Sequence, residues 1–286
     1  MKLGVTLGDP AGVGPEIVRT ALGTLHLPPG IETEVIGTTD GHTPGRPTPD
    51  SARAAADALE TAARQLLDGS LDGVVTGPVS KNALHEIGWH FPGQTEFFAA
   101  RAQVENFAMC LTGGPLTVAL TTAHIPLGAV PGSLRTPEIV RVGLLLESFL
   151  QRRGIATPRI AVAGLNPHAG ECGDLGHEEI TIIRPAVAIL ENRPSAAFDG
   201  PFPPDTVFHR AASGEFDAVL CMYHDQGLIP LKLLAFDDGV NVTLGLPFVR
   251  TSPDHGTAFE IAGRRIARAQ SMSAAIRLAA SLLLAP

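Results

Sequence analysis

Cysteine, basic charge and long apolar runs are all scarce in this chain, and each scarcity excludes something. The 286 residues hold only Cys110, Cys172 and Cys221. Their odd number, wide spacing and lack of any C-x-x-C pair fit reduced thiols of a cytoplasmic protein rather than a disulfide framework. Lys and Arg number 21 against 29 Asp and Glu, a formal net charge of -8. That balance argues against a nucleic-acid binder, whose footprint is a basic excess. It leaves small anionic ligands open, because a local Arg/Lys cluster can hold phosphate inside an acidic protein. No apolar run reaches membrane-spanning length; the tail "AAIRLAASLLLAP" is short and contains Arg277. The opening "MKLGVTLGDPAGVGPEI" has no signal-peptide core, since Gly8, Asp9 and Pro10 break it at once. A soluble, cytoplasmic protein is expected, with no membrane and no nucleic acid among its partners.

What the chain does have is core and turns. It is 44% hydrophobic, with 31 glycines and 24 prolines, enough for two lobes joined by many tight loops. Short apolar runs ("KLGVTLG", "TEVIG", "DGVVTG", "FAMCLTG", "LTVALTT", "RIAVAGL", "DAVLCMY", "VNVTLGL") alternate with helix-period segments. Those segments include "PEIVRTALGTL", "SARAAADALETAARQLL", "TPEIVRVGLLLESFLQRRG" and "EEITIIRPAVAILEN". Helix starts are marked by Pro15 with Glu16, by Asp50 before Ser51, and by Thr136 with Pro137 and Glu138. The alternation predicts an α/β fold, a mostly parallel sheet with helices on both faces. Residues 37 to 50, "GTTDGHTPGRPTPD", read as a solvent-facing connection with no chemistry assigned.

In such a sheet, ligands collect beyond the carboxyl ends of the strands. Three of the 10 histidines, His124, His168 and His224, follow strand ends directly, as do Asp9, Lys81, Asn166, Asp225 and Arg250. Packing gives no reason for ionisable groups to gather there; a shared cleft does. The histidines are 44 and 56 residues apart, so there is no local metal motif, and three unrelated loop histidines would fit the same positions. Three neutral imidazoles with open positions describe a catalytic divalent-metal site. "GDPAGVGPE" lacks the spacing of a Rossmann G-x-G-x-x-G, although its helix N-terminus could hold an anion. Lys232 lies in the apolar context "LIPLKLLAF", where a cation is most easily explained by an anionic partner. "SPDHGTAFEIAG" could be nothing more than a capped helix start.

Taken together, these blocks resemble one family. "GDPAGVGPE", "TGPVSK", "FPGQTEFF", "TTAHIPL", "GLNPHAGECGDLGHEE", "GPFPPDT", "YHDQGLIPLK" and "GVNVTLGLPFVRTSPDHGTAFEIAG" run in order from residue 8 to residue 263. Their order and wording are similar to the 4-hydroxythreonine-4-phosphate dehydrogenases of vitamin B6 biosynthesis. The resemblance implies a two-lobed fold related to isocitrate and isopropylmalate dehydrogenases, with the active site in the interlobe cleft. A nucleotide-binding lobe would comprise 1–113 with 249–286, and a metal-binding and dimerisation lobe 114–248.

By position, the resemblance makes His124, His168 and His224 ligands of one divalent metal (zinc, cobalt or magnesium) at a homodimer interface, contributed by both subunits. It places Gln94, Thr95, Lys232, Asn241 and Arg250 on the substrate. It makes Asp205, Asp225 and Lys232 candidates for proton transfer, and His255, Gly256, Thr257 and Glu260 the adenosine loop of NAD or NADP. The implied reaction is oxidation of 4-phosphooxy-L-threonine, followed by decarboxylation to 3-amino-2-oxopropyl phosphate. Two departures stand out. Gln94 replaces the family's histidine, and Gln cannot titrate near neutrality; the chain is also shorter than most relatives around residues 37 to 46. Gln94 keeps phosphorylated threonate or erythronate and aromatic cis-dihydrodiols open as alternative substrates. A phosphate-ligand acyltransferase without redox chemistry is the rival from another class.

Overall fold

Apolar runs of four to six residues, cut off by Gly, Pro or Asp, are too short for stable helices and become strands when buried on both faces. The computed structural model describes residues 1–285. In chain order the elements begin β1 (Lys2–Thr6), α1 (Gly14–Thr24), β2 (Glu32–Ile36), α2 (Pro49–Leu67), β3 (Gly73–Thr76), α3 (Lys81–Glu86) and α4 (Gln94–Arg101). There follow β4 (Ala108–Gly113), β5 (Leu116–Leu120), α5 (Val130–Ser133), α6 (Thr136–Arg152), β6 (Arg159–Ala163), α7 (Arg184–Leu190) and β7 (Ala197–Phe202). The last are α8 (Val207–Ala212), β8 (Ala218–Cys221), α9 (His224–Ala235), β9 (Val240–Leu244), β10 (Val249–Pro253) and α10 (Gln270–Leu284).

The chain forms two units, Met1–Glu105 with Val240–Leu284, and Asn106–Gly239. In the first unit the strand order is β2-β1-β3-β10-β9, parallel except between β9 and β10. In the second it is β4-β5-β8-β6-β7, parallel except between β4 and β5. The mostly parallel α/β architecture is thus the one the alternation predicts. The divisions fall after 105 and 239, not after 113 and 248. β4 joins the second unit because it forms a hairpin with β5, from Met109↔Leu120 to Gly113↔Leu116. β9 joins the first because its ladder runs to β10, Thr251 against Val242.

The first unit packs Leu3, Val5, Ile17, Leu59, Val74 and Ile276 out of contact with solvent. Each such side chain contributes about 1.5–3 kcal/mol by leaving water. α2 shows how little side chain this requires: Ala52, Ala55, Leu59, Ala62, Ala63 and Leu66 form its buried stripe at helical spacing. Its start lies earlier than the Asp50–Ser51 signal suggests. Thr48 is the cap: its Oγ1 accepts from Ser51 N at 3.1 Å, and Ser51 Oγ accepts from Thr48 N at 3.1 Å. The second unit is built on Leu111, Val118, Ala161, Val219 and Leu231. Cys110 and Cys221 are buried there, and burial pushes the Cys110 thiol up to about 12.

Two strands escape a pattern-based reading. β7, "AFDGPF", is an edge strand, which tolerates Pro201. β10, "VRTSP", is buried at every position yet half polar. The segment "EEITIIRPAVAILEN" is not one α-helix either. Residues Glu179–Ile183 form a π-helical turn before α7, where Pro185 can supply no N–H to the regular ladder.

Candidate active site

The most unusual group in the first unit is Arg250, on β10. Its guanidinium is 3% exposed, and no carboxylate touches it. Nη2 donates to Thr76 Oγ1 at 2.8 Å and Gln94 Oε1 at 3.3 Å. Nη1 donates to Thr243 Oγ1 at 3.2 Å, Thr95 Oγ1 at 3.3 Å and Asn241 Oδ1 at 3.5 Å. Nε is buried without a partner. Burial pulls its pKa down to about 10, against the upward pull of the Glu96 charge. Hydroxyls and amides meet both terminal nitrogens, and the only compensating charge, that of Glu96, makes no direct contact, a costly arrangement that an anionic ligand would relieve. This cluster unites four of the sequence-predicted residues, Gln94, Thr95, Asn241 and Arg250. It adds Thr76 and Thr243, which sequence reasoning missed although they end "DGVVT" and lie in "VNVTL". The Gln94 amide is fixed from both ends, since its Nε2 also donates to Gly77 O at 3.1 Å.

In the second unit, His124 and His224 stand with ring centroids 5.6 Å apart and planes inclined by 42°. Two imidazoles on one tetrahedral ion, each about 2 Å from it through nitrogen, set their centroids about 5 Å apart, so the pair fits a shared metal. His224 opens α9, and its Nδ1 donates to Asp225 Oδ1 at 2.6 Å. That contact leaves Nε2 free of Asp225, the arrangement in which a carboxylate would orient a metal-binding ring. Both histidines line a cavity of 320 Å³ with Thr122, Tyr223, Asp225 and Ile229. Tyr223 was also missed; burial, then the Asp225 charge, raises its pKa. His168, Asp205 and Lys232 do not line that cavity. Among the described residues no three His, Cys, Asp or Glu side chains assemble as a metal set. His168 is exposed on the loop after β6, within a run of five left-handed residues, 168 to 172.

The expected adenosine loop is no helix: residues 255–260 form an irregular segment after β10. Thr257 O accepts from Val13 N at 2.9 Å, and a Cβ at Gly12 would fall 2.9 Å from that oxygen. His255, Gly256 and Glu260 are exposed, and a Cβ at Gly256 would meet nothing within 4 Å. In the same unit, Gly12, Glu16, Arg19, His42 and Arg265 line a cavity of 330 Å³. Glu16 Oε1 is buried there without a hydrogen-bond donor, a position suited to a sugar hydroxyl. His42 brings the 37–50 connection, read as featureless, to this cavity. Asp9 and Lys81 are placed by local structure, Asp9 accepting from Ala11 N at 3.0 Å and Lys81 opening α3.

Fold and site together define a mostly parallel α/β protein with a buried cationic pocket on one unit and a histidine-lined cavity on the other. The chain belongs to the family of the pyridoxal phosphate biosynthetic protein PdxA, whose family model matches residues 18–279. A 4-hydroxythreonine-4-phosphate dehydrogenase of Desulfosudis oleivorans is 44% identical over 97% of this chain and 94% of its own. The crystal structure of a 4-hydroxythreonine-4-phosphate dehydrogenase from Klebsiella pneumoniae covers 99% of both chains at 38% identity, with a TM-score of 0.82. A terephthalate 1,2-cis-dihydrodiol dehydrogenase from Burkholderia xenovorans is similar at 28% identity and TM-score 0.70, covering 98% of each chain. Likeness in fold alone extends to a β-decarboxylating dehydrogenase of Thermococcus kodakarensis, at 16% identity, TM-score 0.54, 96% of this chain and 82% of that one. Among the described residues no helix is long and apolar enough to cross a membrane.

Two outcomes are expected of the anion pocket. Sulfate affinity, followed by calorimetry, should stay level from roughly pH 7 to 9. Above about 10 it should fall roughly tenfold per pH unit as the guanidinium loses its proton. The folded-state pKa lies below the unfolded one, so stability from this group rises, rather than falls, over the same alkaline range. Gln94→His should add a pH-dependent contribution to substrate KM between roughly pH 5 and 8, on the order of 1 kcal/mol. Superimposable pH profiles of KM for the two proteins would show that residue 94 does not meet the anionic part of the substrate.

Proposed function

We propose that the chain oxidises the C3 hydroxyl of 4-phosphooxy-L-threonine, with NAD or NADP as hydride acceptor. The product, 2-amino-3-oxo-4-phosphooxybutanoate, then loses carbon dioxide to give 3-amino-2-oxopropyl phosphate. The observation that carries this reading is the buried, unpaired Arg250 cation among Thr76, Gln94, Thr95, Asn241 and Thr243. It is suited to the phosphate or carboxylate of such a substrate. The names of the family relatives support the substrate and its dehydrogenation.

His124 and His224 would hold the metal, with His168 of the partner subunit completing the set. A divalent zinc, cobalt or magnesium ion bound there supplies Lewis acidity that lowers the pKa of a substrate hydroxyl. Residues 255–260 and Glu16 would hold the nucleotide, which accepts the hydride from C3. Asp225 orients His224 through Nδ1; one of Asp205, Lys232 or the second oxygen of Asp225 would receive the hydroxyl proton. A second copy also accounts for the face of α9, where Ile229, Leu233, Leu234 and Phe236 are 66%, 82%, 52% and 71% exposed. An apolar face of that kind marks a contact surface. The reading places the enzyme in the cytoplasm as a homodimer.

The same chemistry on another substrate is a second reading, favoured by Gln94 and by the dihydrodiol relative. A panel separates them: NADH formation is followed with 4-phosphooxy-threonine, phosphorylated threonate and erythronate, and an aromatic cis-dihydrodiol, with added zinc, cobalt or magnesium. 4-Phosphooxy-threonine should be turned over fastest. Arg250→Met should lower kcat/KM by about a hundredfold or more, with thermal stability held or raised because an unpaired buried charge is removed. Fastest turnover of another substrate would displace the threonine reading.

Sharing of the metal has its own test. Inactive His168→Ala and His224→Ala chains, co-expressed, should recover about a quarter of wild-type activity. Half the dimers are then mixed, and each mixed dimer carries one intact site of two. No recovery would place His168 and His224 in the same subunit's contribution, and a fully active monomer in sedimentation would refute a site contributed by two subunits.

A further inference from the structure

The loop that carries His168 is a rare conformation whose start is anchored by one buried carboxylate. His168, Ala169, Gly170, Glu171 and Cys172 have φ of 52°, 51°, 82°, 44° and 59°. Four of the five are not glycine, and such a run persists only where its surroundings over-determine it. Backbone bonds hold it locally, Ala169 N donating to Asn166 O at 3.1 Å and Leu175 N to Gly170 O at 3.2 Å, and one carboxylate anchors its start. Glu179, on the π-helical turn, is 0% exposed. Its Oε1 accepts from Leu165 N and from Asn166 N, both at 2.7 Å, and its Oε2 accepts from Asn166 Nδ2 at 2.9 Å. No cation pairs with it among the described residues. Gly170 packs on the other side of Oε2, where a Cβ would sit 2.7 Å away. Gln226 extends the connection, donating to Gly164 O at 2.6 Å and accepting from Met222 N at 2.7 Å.

We propose that Glu179 is the positioning residue for His168: it fixes the 164–170 loop so that the imidazole is presented for metal binding. The proposal rests on His168 being a ligand, as put forward above. A π-helical turn, rather than a regular one, carries this carboxylate, and such turns recur at functional sites. Replacing it by glutamine preserves shape but not polarity. The two backbone N–H groups require an acceptor, so the new NH2 must face Asn166 Nδ2, donor against donor. If Asn166 reverses its amide, its oxygen then faces Glu178 Oε2, to which Nδ2 now donates at 2.8 Å. Either arrangement loses a bond two residues before His168. Solvation and packing of the first unit are untouched.

The test is zinc affinity of the full-length apo-protein, measured by competition with a chromophoric chelator. Glu179→Gln should weaken zinc binding ten- to a hundredfold, the usual cost of losing a group that orients a ligand. Sulfate affinity at Arg250 should stay at the wild-type value. Gly170→Ala, which presses on the same oxygen from the loop side, should lower zinc affinity likewise and serves if Glu179→Gln does not fold. In the double variant His168→Ala/Glu179→Gln, zinc binding should be no weaker than in His168→Ala alone. Wild-type zinc affinity in the foldable variants, or equal losses of zinc and sulfate binding, would overturn the positioning role. Wild-type zinc affinity in His168→Ala would remove the ligand assignment itself, and the proposal with it.

Discussion

A guanidinium buried without a contacting counter-charge is the constraint on which the first unit is organised. Arg250 lies in a strand whose every residue is buried, and its charge has no carboxylate to meet it. The chain compensates with geometry. Three threonine hydroxyls and two amide oxygens are delivered from β3, α4 and β9. These satisfy hydrogen bonds while leaving the electrostatic potential positive. A surface arginine would bind the same anion more weakly, because solvent would screen it. The stability given up in burying the charge is the origin of selectivity for an anionic ligand.

The second unit places histidines after its strands. His224 is held through Nδ1 by its neighbour Asp225, and His124 stands beside it. His168 depends on a left-handed loop tied to a buried carboxylate. These imidazoles sit on rigid supports after strands β5, β6 and β8, which is how an α/β sheet brings sequence-distant residues to one edge. Within one chain the set stays at two, and an apolar face of α9 stays uncovered. A second copy, as proposed above, would supply both the missing ligand and the cover.

The family resemblance implies a histidine where this chain carries Gln94. In this chain its amide bridges Gly77 O and Arg250, so it contributes an oxygen to the cation's cage at every pH. A histidine at that position would alternate between acceptor and cation near neutrality. The substitution therefore holds the pocket's charge constant, at the expense of any charge-assisted contact from residue 94.

Most of the architecture was legible without coordinates. Apolar runs bounded by Gly and Pro determined eight strands, Pro and Thr signals located the helices, and the polar residues following the strands marked the ligand edge. That was possible because strand burial and helix starts are local properties, written in neighbouring residues. β10 was illegible for the opposite reason. "VRTSP" reads as surface, and it is buried only because β3, β9 and α10 surround it. The partners of Arg250 come from residues 76, 94, 95, 241 and 243, so no window of sequence contains its pocket. The same holds for Glu179, which reads as one more helix-face acid in "HEEITII". Only the folding of that turn onto residues 164 to 170 removes it from water and makes it the anchor of a loop. Local pattern determined which elements form; which charges lose their solvent, and what then satisfies them, was decided by tertiary packing, because desolvation is a property of surroundings and not of sequence.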